Sequence, residues 1–171
     1  MKLLFIGSRL YDDIDWYVKS KGIESVLTES NEDAINLDLP DQVFIVPRGI
    51  EGPKQVALMQ NVDAVVPLIG IDPPLIDVAH MKEELESEYN IPVIAAGVRA
   101  VELTSDKIKT KEFYTEIGVT TPNYQILNGP EELTLDFPVV LKQGQGQGGK
   151  DIKVAKSIED VEEYFEQFDQ A

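Results

Sequence analysis

The chain opens on an apolar run, a glycine, then a stretch in which apolar positions recur every three or four residues, and apolar runs alternate with such stretches over its first hundred residues. Lys2–Gly7 is apolar at almost every position and predicts a first strand covered on both faces. Asp13–Lys21 has helical periodicity and is stopped by Gly22. Glu24–Thr28 and Gln42–Val46 predict two further strands, separated by the polar loop Ser30–Asp41. Pro53–Val62 predicts a helix, and Ala64–Ile69 is the most hydrophobic strand candidate. A longer helix is expected from Pro74 to about Tyr89, then a strand at Pro92–Ala96. Buried strands alternating with helices give a doubly wound parallel sheet, here of about five strands, over residues 1–102.

Beyond residue 102 the pattern changes. Ser105 is placed to cap a helix over Asp106–Ile117, with Gly118 as its left-handed stop and Pro122 just beyond. Strands are expected at Asn123–Leu127 and Pro138–Lys142, with the turn Asn128-Gly129-Pro130 between them. A glycine-rich loop over 144–149 leads into a strand at Asp151–Ala155, which reads as a hairpin. Ser157 caps a last helix with Val161, Tyr164, Phe165 and Phe168 on one face and glutamates largely on the other. Residues 103–171 are therefore expected to form a small α+β unit.

Charge narrows the function classes. Fifteen basic residues against thirty-one acidic ones leave a net charge of −16, a field that repels phosphate backbones and anionic bilayers. No nucleic-acid or membrane partner is expected. The chain has no cysteine and a single histidine, His80, so thiolate and multi-histidine metal sites are not available. Its opening apolar run breaks after six residues, too short for a signal peptide core, and no run approaches the roughly 20 residues of a membrane span. A soluble cytoplasmic protein is the expectation.

The first strand-to-helix turn, Gly7-Ser8-Arg9-Leu10-Tyr11-Asp12, lacks the G-x-G-x-x-G fingerprint, and Asp12 and Asp13 would repel a pyrophosphate. A Rossmann-like topology without the dinucleotide is the reading. Better chemistry lies in the second half. Lys107 and Lys111 share a helix face. Lys142 ends an apolar strand on the same face as Val140, which sets its ammonium at the mouth of a partly buried surface. The loop Gly144, Gly146, Gly148 and Gly149 can turn backbone N–H groups toward phosphate oxygens because no Cβ obstructs them. A lysine ahead of such a loop and another on a preceding helix would neutralise a polyphosphate from two sides. Each element also has a plain reading, as solvated lysines or a mobile turn.

Ser105-Asp106-Lys107-x-x-Thr110-Lys111, Gly118-Val119-x-x-Pro122, Phe137-Pro138-Val139-Val140-x-Lys142 and the glycine loop occur in this order. Together they resemble the start of an ATP-grasp module, similar to that of the carbamoyl-phosphate synthase large subunit and of carboxylate–amine ligases. The resemblance is most specific from about Thr104 to Ser157. It implies a Rossmann-like pre-ATP-grasp domain over 1–102 and the first, lid subdomain over 103–171. It implies nucleotide contacts from Lys107, Lys142, Gly144, Gly146, Gly148 and Gly149, with ATP and Mg2+ as cofactors. Gly70 and Asp72 lie where such enzymes place a loop facing the substrate cleft. The implied reaction is activation of a carboxylate or bicarbonate as an acyl phosphate, for attack by an amine or ammonia. Gln145 and Gln147 depart from the serine, threonine or alanine of relatives. The magnesium ligands belong to the larger subdomain, so the chain is expected to be a fragment, inactive alone, completed by that lobe in cis or as a second chain. A small-molecule substrate is implied, and relatives often dimerise. The competing expectation is a non-catalytic α/β module that regulates or binds a small molecule.

Overall fold

The computed structural model describes the backbone of residues 1–70, 72–144 and 150–169, and the side chains of these except 72, 73 and 169. The chain divides into two compact units, Met1–Glu102 and Leu103–Ala171.

In the first unit, β1 (Lys2–Ile6), β2 (Glu24–Glu29), β3 (Gln42–Ile45) and β4 (Ala64–Pro67) form one parallel sheet in the order β3-β2-β1-β4. The chain winds outward from β1 to β3, then crosses back to place β4 on the other side of β1. Helix α1 (Asp12–Ser20) joins β1 to β2 and α2 (Glu51–Met59) joins β3 to β4, a helix-free segment joins β2 to β3, and α3 (Asp72–Glu88) and a short α4 (Val98–Thr104) follow β4. Because side chains alternate along a strand, β1 feeds two cores. Leu4 and Ile6 join Val26, Val65, Val78 and Leu85 on one face, and Phe5 joins Tyr11, Val18 and Leu27 on the other. This is the expected doubly wound sheet. The fifth strand is reduced to one parallel bridge, Val65↔Val93, since Ile94, beside the bridge, is exposed and nothing extends the pairing. Helix α4 was not anticipated: Gly97-Val98-Arg99-Ala100 carries no breaker after the glycine, but its apolar residues are too few to show a period.

In the second unit, α5 (Lys107–Glu116) is capped by Asp106 rather than Ser105. The Asp106 carboxylate accepts from the Ile108 and Lys109 amides at 2.8 and 3.1 Å, and an ionised cap accepts such bonds better than a hydroxyl. Gly118, at φ 73°, ends the helix as expected. The segment 123–127 is not a strand: Gln125 instead spends its amide on Thr134 and Glu132, bridging the turn. Strands β5 (Val139–Lys142) and β6 (Ile152–Ala155) form the expected antiparallel hairpin, and α6 (Ile158–Asp169) packs on it. Val161 and Tyr164 meet Leu141 and Ala155 in a third core, with Phe165 and Phe168 at its margin.

Among the described residues no helix is long and apolar enough to cross a membrane.

Candidate nucleotide site

The hairpin has one covered and one open face. Residues Val139, Leu141 and Ala155 turn toward α6, and Leu141 and Ala155 are buried. The ladder pairs Val140 with Val154 and Lys142 with Ile152, which places these four side chains on the opposite face. There Val140 is 58% exposed, Ile152 49% and Val154 55%, and Lys142 is exposed too. The expectation that Lys142 borders a partly buried surface is therefore corrected. Period-two alternation assigns the face rightly, but α6 covers only the other side.

Three contacts fix the end of this hairpin where the glycine loop departs. The Lys107 N–H donates to the Gly144 carbonyl at 2.9 Å, so the first turn of α5 sits against the loop's first residue. A methyl placed on Gly144 would lie 3.5 Å from Ile108 Cδ1. The Tyr164 hydroxyl donates to the Asp151 carbonyl at 2.7 Å and accepts from Gln143 Nε2 at 3.3 Å, joining the outgoing and returning ends of the hairpin. Burial pushes this hydroxyl above its ordinary pKa, so it remains a neutral donor, with the Gln143 bond opposing the shift. Sequence reasoning assigned Tyr164 only to the helix's apolar face, where its ring indeed lies. Nothing in the periodicity shows that its hydroxyl reaches past that face.

Of the candidate residues, Lys107 meets Gly144 through its backbone, and Lys142 ends β5 two residues before Gly144. Gly146, Gly148 and Gly149 lie outside the described residues. Lys111, on the same helix as Lys107, is drawn elsewhere: its ammonium bonds Thr121 Oγ1, reaches the Pro122 carbonyl at 3.3 Å and lies 5.6 Å from the Tyr124 ring centroid. It fastens the segment after α5.

In the first unit, Gly70 is exposed with nothing within 4 Å of a Cβ placed there. The Asp72 side chain lies outside the described residues, and His80 is exposed. The first strand-to-helix turn is occupied by the protein itself. Gly7, at φ 91°, brings the backbone close to the Leu68 carbonyl. The Ser8 N–H and hydroxyl both donate to Glu29 Oε2, at 3.0 and 3.1 Å, while Glu29 Oε1 accepts from the Ser30 N–H at 2.6 Å. Burial alone would raise the Glu29 carboxyl, but these serine bonds outweigh it and hold the group below its ordinary range. A carboxylate therefore sits where a dinucleotide phosphate would take the turn's donors. Glu29 was missed in the sequence because the end of β2 looked like any polar strand end.

Among the described residues no three acidic or histidine side chains come together in a way that could hold a metal ion. Glu159 and Asp160 are instead engaged at the start of α6: Asp160 accepts the Lys156 N–H at 2.7 Å. The described residues do not fit a magnesium site, and none is assigned among them.

No family model matches the chain. It is 77% identical, over its whole length, to a "Carbamoyl-phosphate synthase" of Methanobrevibacter smithii, of which it covers 47%. It is 26% identical over 86% of its length to a "Carbamoyl phosphate synthase large chain" of Pyrococcus furiosus, covering 15% of that protein. The chain thus spans about half or less of the curated relatives it matches. Among solved structures, an N5-carboxyaminoimidazole ribonucleotide synthetase with ADP superimposes over 99% of the chain and 45% of its own, at TM-score 0.74 and 18% identity. The biotin carboxylase subunit of a pyruvate carboxylase superimposes over 97% of the chain and 40% of its own, at TM-score 0.60 and 26% identity. These relatives and neighbours are ATP-grasp ligases, and the resemblance and fold class read from the sequence stand on them.

Proposed function

We propose that this chain is the front portion of an ATP-dependent, carbamoyl-phosphate-synthase-like ligase. Such an enzyme activates a carboxylate or bicarbonate as an acyl phosphate for attack by an amine or ammonia. The observation that carries the reading is the uncovered hairpin face of Val140, Ile152 and Val154, which ends in Lys142, two residues before the Gly144 carbonyl that accepts from the Lys107 N–H. An apolar surface edged by an ammonium suits a flat aromatic base with a phosphate chain at its rim. ATP, when bound, supplies the phosphoryl group. The chain's own part is to hold the nucleotide: Lys142 offsets phosphate charge, and the Lys107 turn and Tyr164 keep the two ends of the loop in register. Gly144, Gly146, Gly148 and Gly149 are assigned to the phosphates, and Gly70 and Asp72 to the substrate side.

The other wall of the nucleotide site and the magnesium ligands are assigned to the remaining lobe, in cis or as a second chain. With one wall, the 171-residue chain should hold ATP only near the millimolar range, about −4 kcal/mol, and should not turn it over. A small-molecule acid is the substrate, in a homodimer. The test is nucleotide affinity of the full-length enzyme carrying Lys142→Ala or Lys107→Ala. A loss of orders of magnitude is expected. Unchanged affinity in both variants would leave a non-catalytic α/β module as the better description.

A further inference from the structure

The turn into α1 sends one large polar side chain into the interior of the first unit. Tyr11 is fully buried in the core of Phe5, Val18 and Leu27, its ring edge-on to Phe5 with centroids 5.2 Å apart. Its carbonyl accepts from the Asp15 N–H at 2.9 Å, so Tyr11 and Asp15 lie one turn apart on the same side of α1. Among the described residues, two buried side-chain oxygens have no hydrogen-bond partner in the protein, and they are the Tyr11 hydroxyl and Asp15 Oδ1. A buried polar atom left unpaired costs the fold its desolvation, and two such atoms on one helix face call for a shared partner.

Ser25, on β2, faces the same core: it is buried and lies two residues before Leu27, on the same side of the strand. Its hydroxyl donates to Asp41 Oδ2 at 2.9 Å and accepts the Asp41 N–H at 2.9 Å, while its own N–H donates to that carboxylate at 2.8 Å. A hydroxyl has one proton and two lone pairs, so one lone pair of Ser25 is left over. Ser25 is near enough to draw the Tyr11 pKa down, yet the two hydroxyls do not meet in a direct hydrogen bond. Burial, reinforced by the Asp15 and Asp41 carboxylates, outweighs Ser25 and Lys19 and holds the phenol above its ordinary pKa, so it keeps its proton and acts as a donor.

Each of the three side chains is held in place by another contact. Phe5 sets the Tyr11 ring, Asp15 Oδ2 takes the Lys19 ammonium at 2.8 Å, and Asp41 engages the Ser25 hydroxyl as both donor and acceptor. The arrangement is one donor, the phenol, beside two acceptors, Asp15 Oδ1 and Ser25 Oγ. A water molecule matches it. Water accepts the phenol proton and gives one hydrogen to each acceptor, and three bonds are the usual complement of a buried water. An anion would be repelled by Asp15 and Asp41. A metal cation cannot accept the phenol proton and would compete with the Lys19 ammonium.

We propose that Tyr11, Asp15 and Ser25 together hold a single internal water, which ties α1 to β2 and, through Asp41, to the start of β3. The site lies within the first unit and does not depend on the nucleotide reading. The test is a crystal structure of the 171-residue chain at a resolution that shows ordered water, together with NMR of the Tyr11 hydroxyl proton in solution. One water is expected within hydrogen-bond distance of the Tyr11 hydroxyl, Asp15 Oδ1 and Ser25 Oγ. The hydroxyl proton should show cross-relaxation to a water that stays in place longer than the molecule takes to tumble. Tyr11→Phe and Asp15→Ala should each lower the folding equilibrium constant about tenfold, and together by little more than either alone, because both release the same water. Lys19→Ala, which removes only the exposed ion pair, should cost about twofold. A direct bond from Tyr11 to Asp15 or Ser25, an ion in place of the water, additive losses in the double variant, or a loss in Lys19→Ala equal to that in Asp15→Ala would each overturn the proposal. The two wild-type measurements give the answer even where a variant fails to fold.

Discussion

The sheet of the first unit and the hairpin of the second are built from similar residues, mostly valine, isoleucine and leucine, yet they are finished differently. Strand β1 has an apolar core on each face, and Leu4 and Phe5, adjacent in sequence, are both buried, in opposite cores. In the hairpin, adjacent Val140 and Leu141 have opposite fates, one exposed and one buried. A closed sheet turns all its apolar surface into stability. A sheet covered on one side keeps apolar surface available for something else, and a two-stranded hairpin without its helix would be marginal. The difference separates residues that hold the fold from residues that are free to bind.

Substitutions can break that separation or sharpen it. The largest effect should come from Leu4→Ala, which opens a cavity in the closed sheet and should lower stability by about 3 kcal/mol in urea unfolding. A loss under about 1 kcal/mol would mean the first unit is less tightly built than described. Next is Lys142→Ala in the full-length enzyme, expected to cost about a hundredfold in nucleotide affinity by calorimetry, near 2.7 kcal/mol, while leaving Tm almost unmoved. If Lys111→Ala costs the same affinity, the assignment of Lys111 to the Thr121–Tyr124 segment is wrong.

Tyr164→Phe should cost about 1 kcal/mol, because the Asp151 carbonyl loses its donor while the ring still fills the core. Hydrogen exchange should rise at Gln143 and Asp151 and stay unchanged in the first unit. Glu29→Gln should cost a similar amount at pH 7 and also change the acid limb. The Glu29 carboxyl titrates below its ordinary value when folded. Its contribution is therefore present above the unfolded range, near pH 4.3, and is lost as pH falls through the lower folded value. The glutamine variant should show a shallower loss of stability across that window. The smallest effect should be Val154→Thr, on the open face: within about 0.5 kcal/mol of wild type. A loss above 1.5 kcal/mol would show that this face is covered after all.

The parallel sheet was legible in the sequence because burial on both faces writes continuous apolar runs, and Lys2–Gly7 and Ala64–Ile69 are such runs. The hairpin and α6 were legible for the complementary reason, a single apolar stripe. Other features were not. Pro92–Ala96 is apolar enough for a strand, but pairing depends on neighbours, and only Val93 finds one. The segment 123–127 alternates as a strand would, yet a single side chain, Gln125, spans its turn. Among the candidate residues, Lys142 and Gly144 were singled out by local signals, charge beside an apolar strand and clustered glycine. The Lys107 N–H bond to Gly144, the Tyr164 bridge and the Glu29 seat join residues 13 to 37 positions apart, and no local pattern records them.

The open hairpin face also bears on how the molecule behaves in bulk. Val140, Ile152 and Val154 form a sticky spot on a particle whose net charge of −16 pushes its copies apart. At low ionic strength that repulsion reaches far, about 30 Å at 0.01 M, and keeps the chains dispersed. At 1 M it shrinks to about 3 Å, and the same apolar spot then favours clumping. Concentrated stocks of the chain should therefore stay clear in dilute buffer and turn cloudy as salt is added, with a threshold that Val140→Lys moves upward.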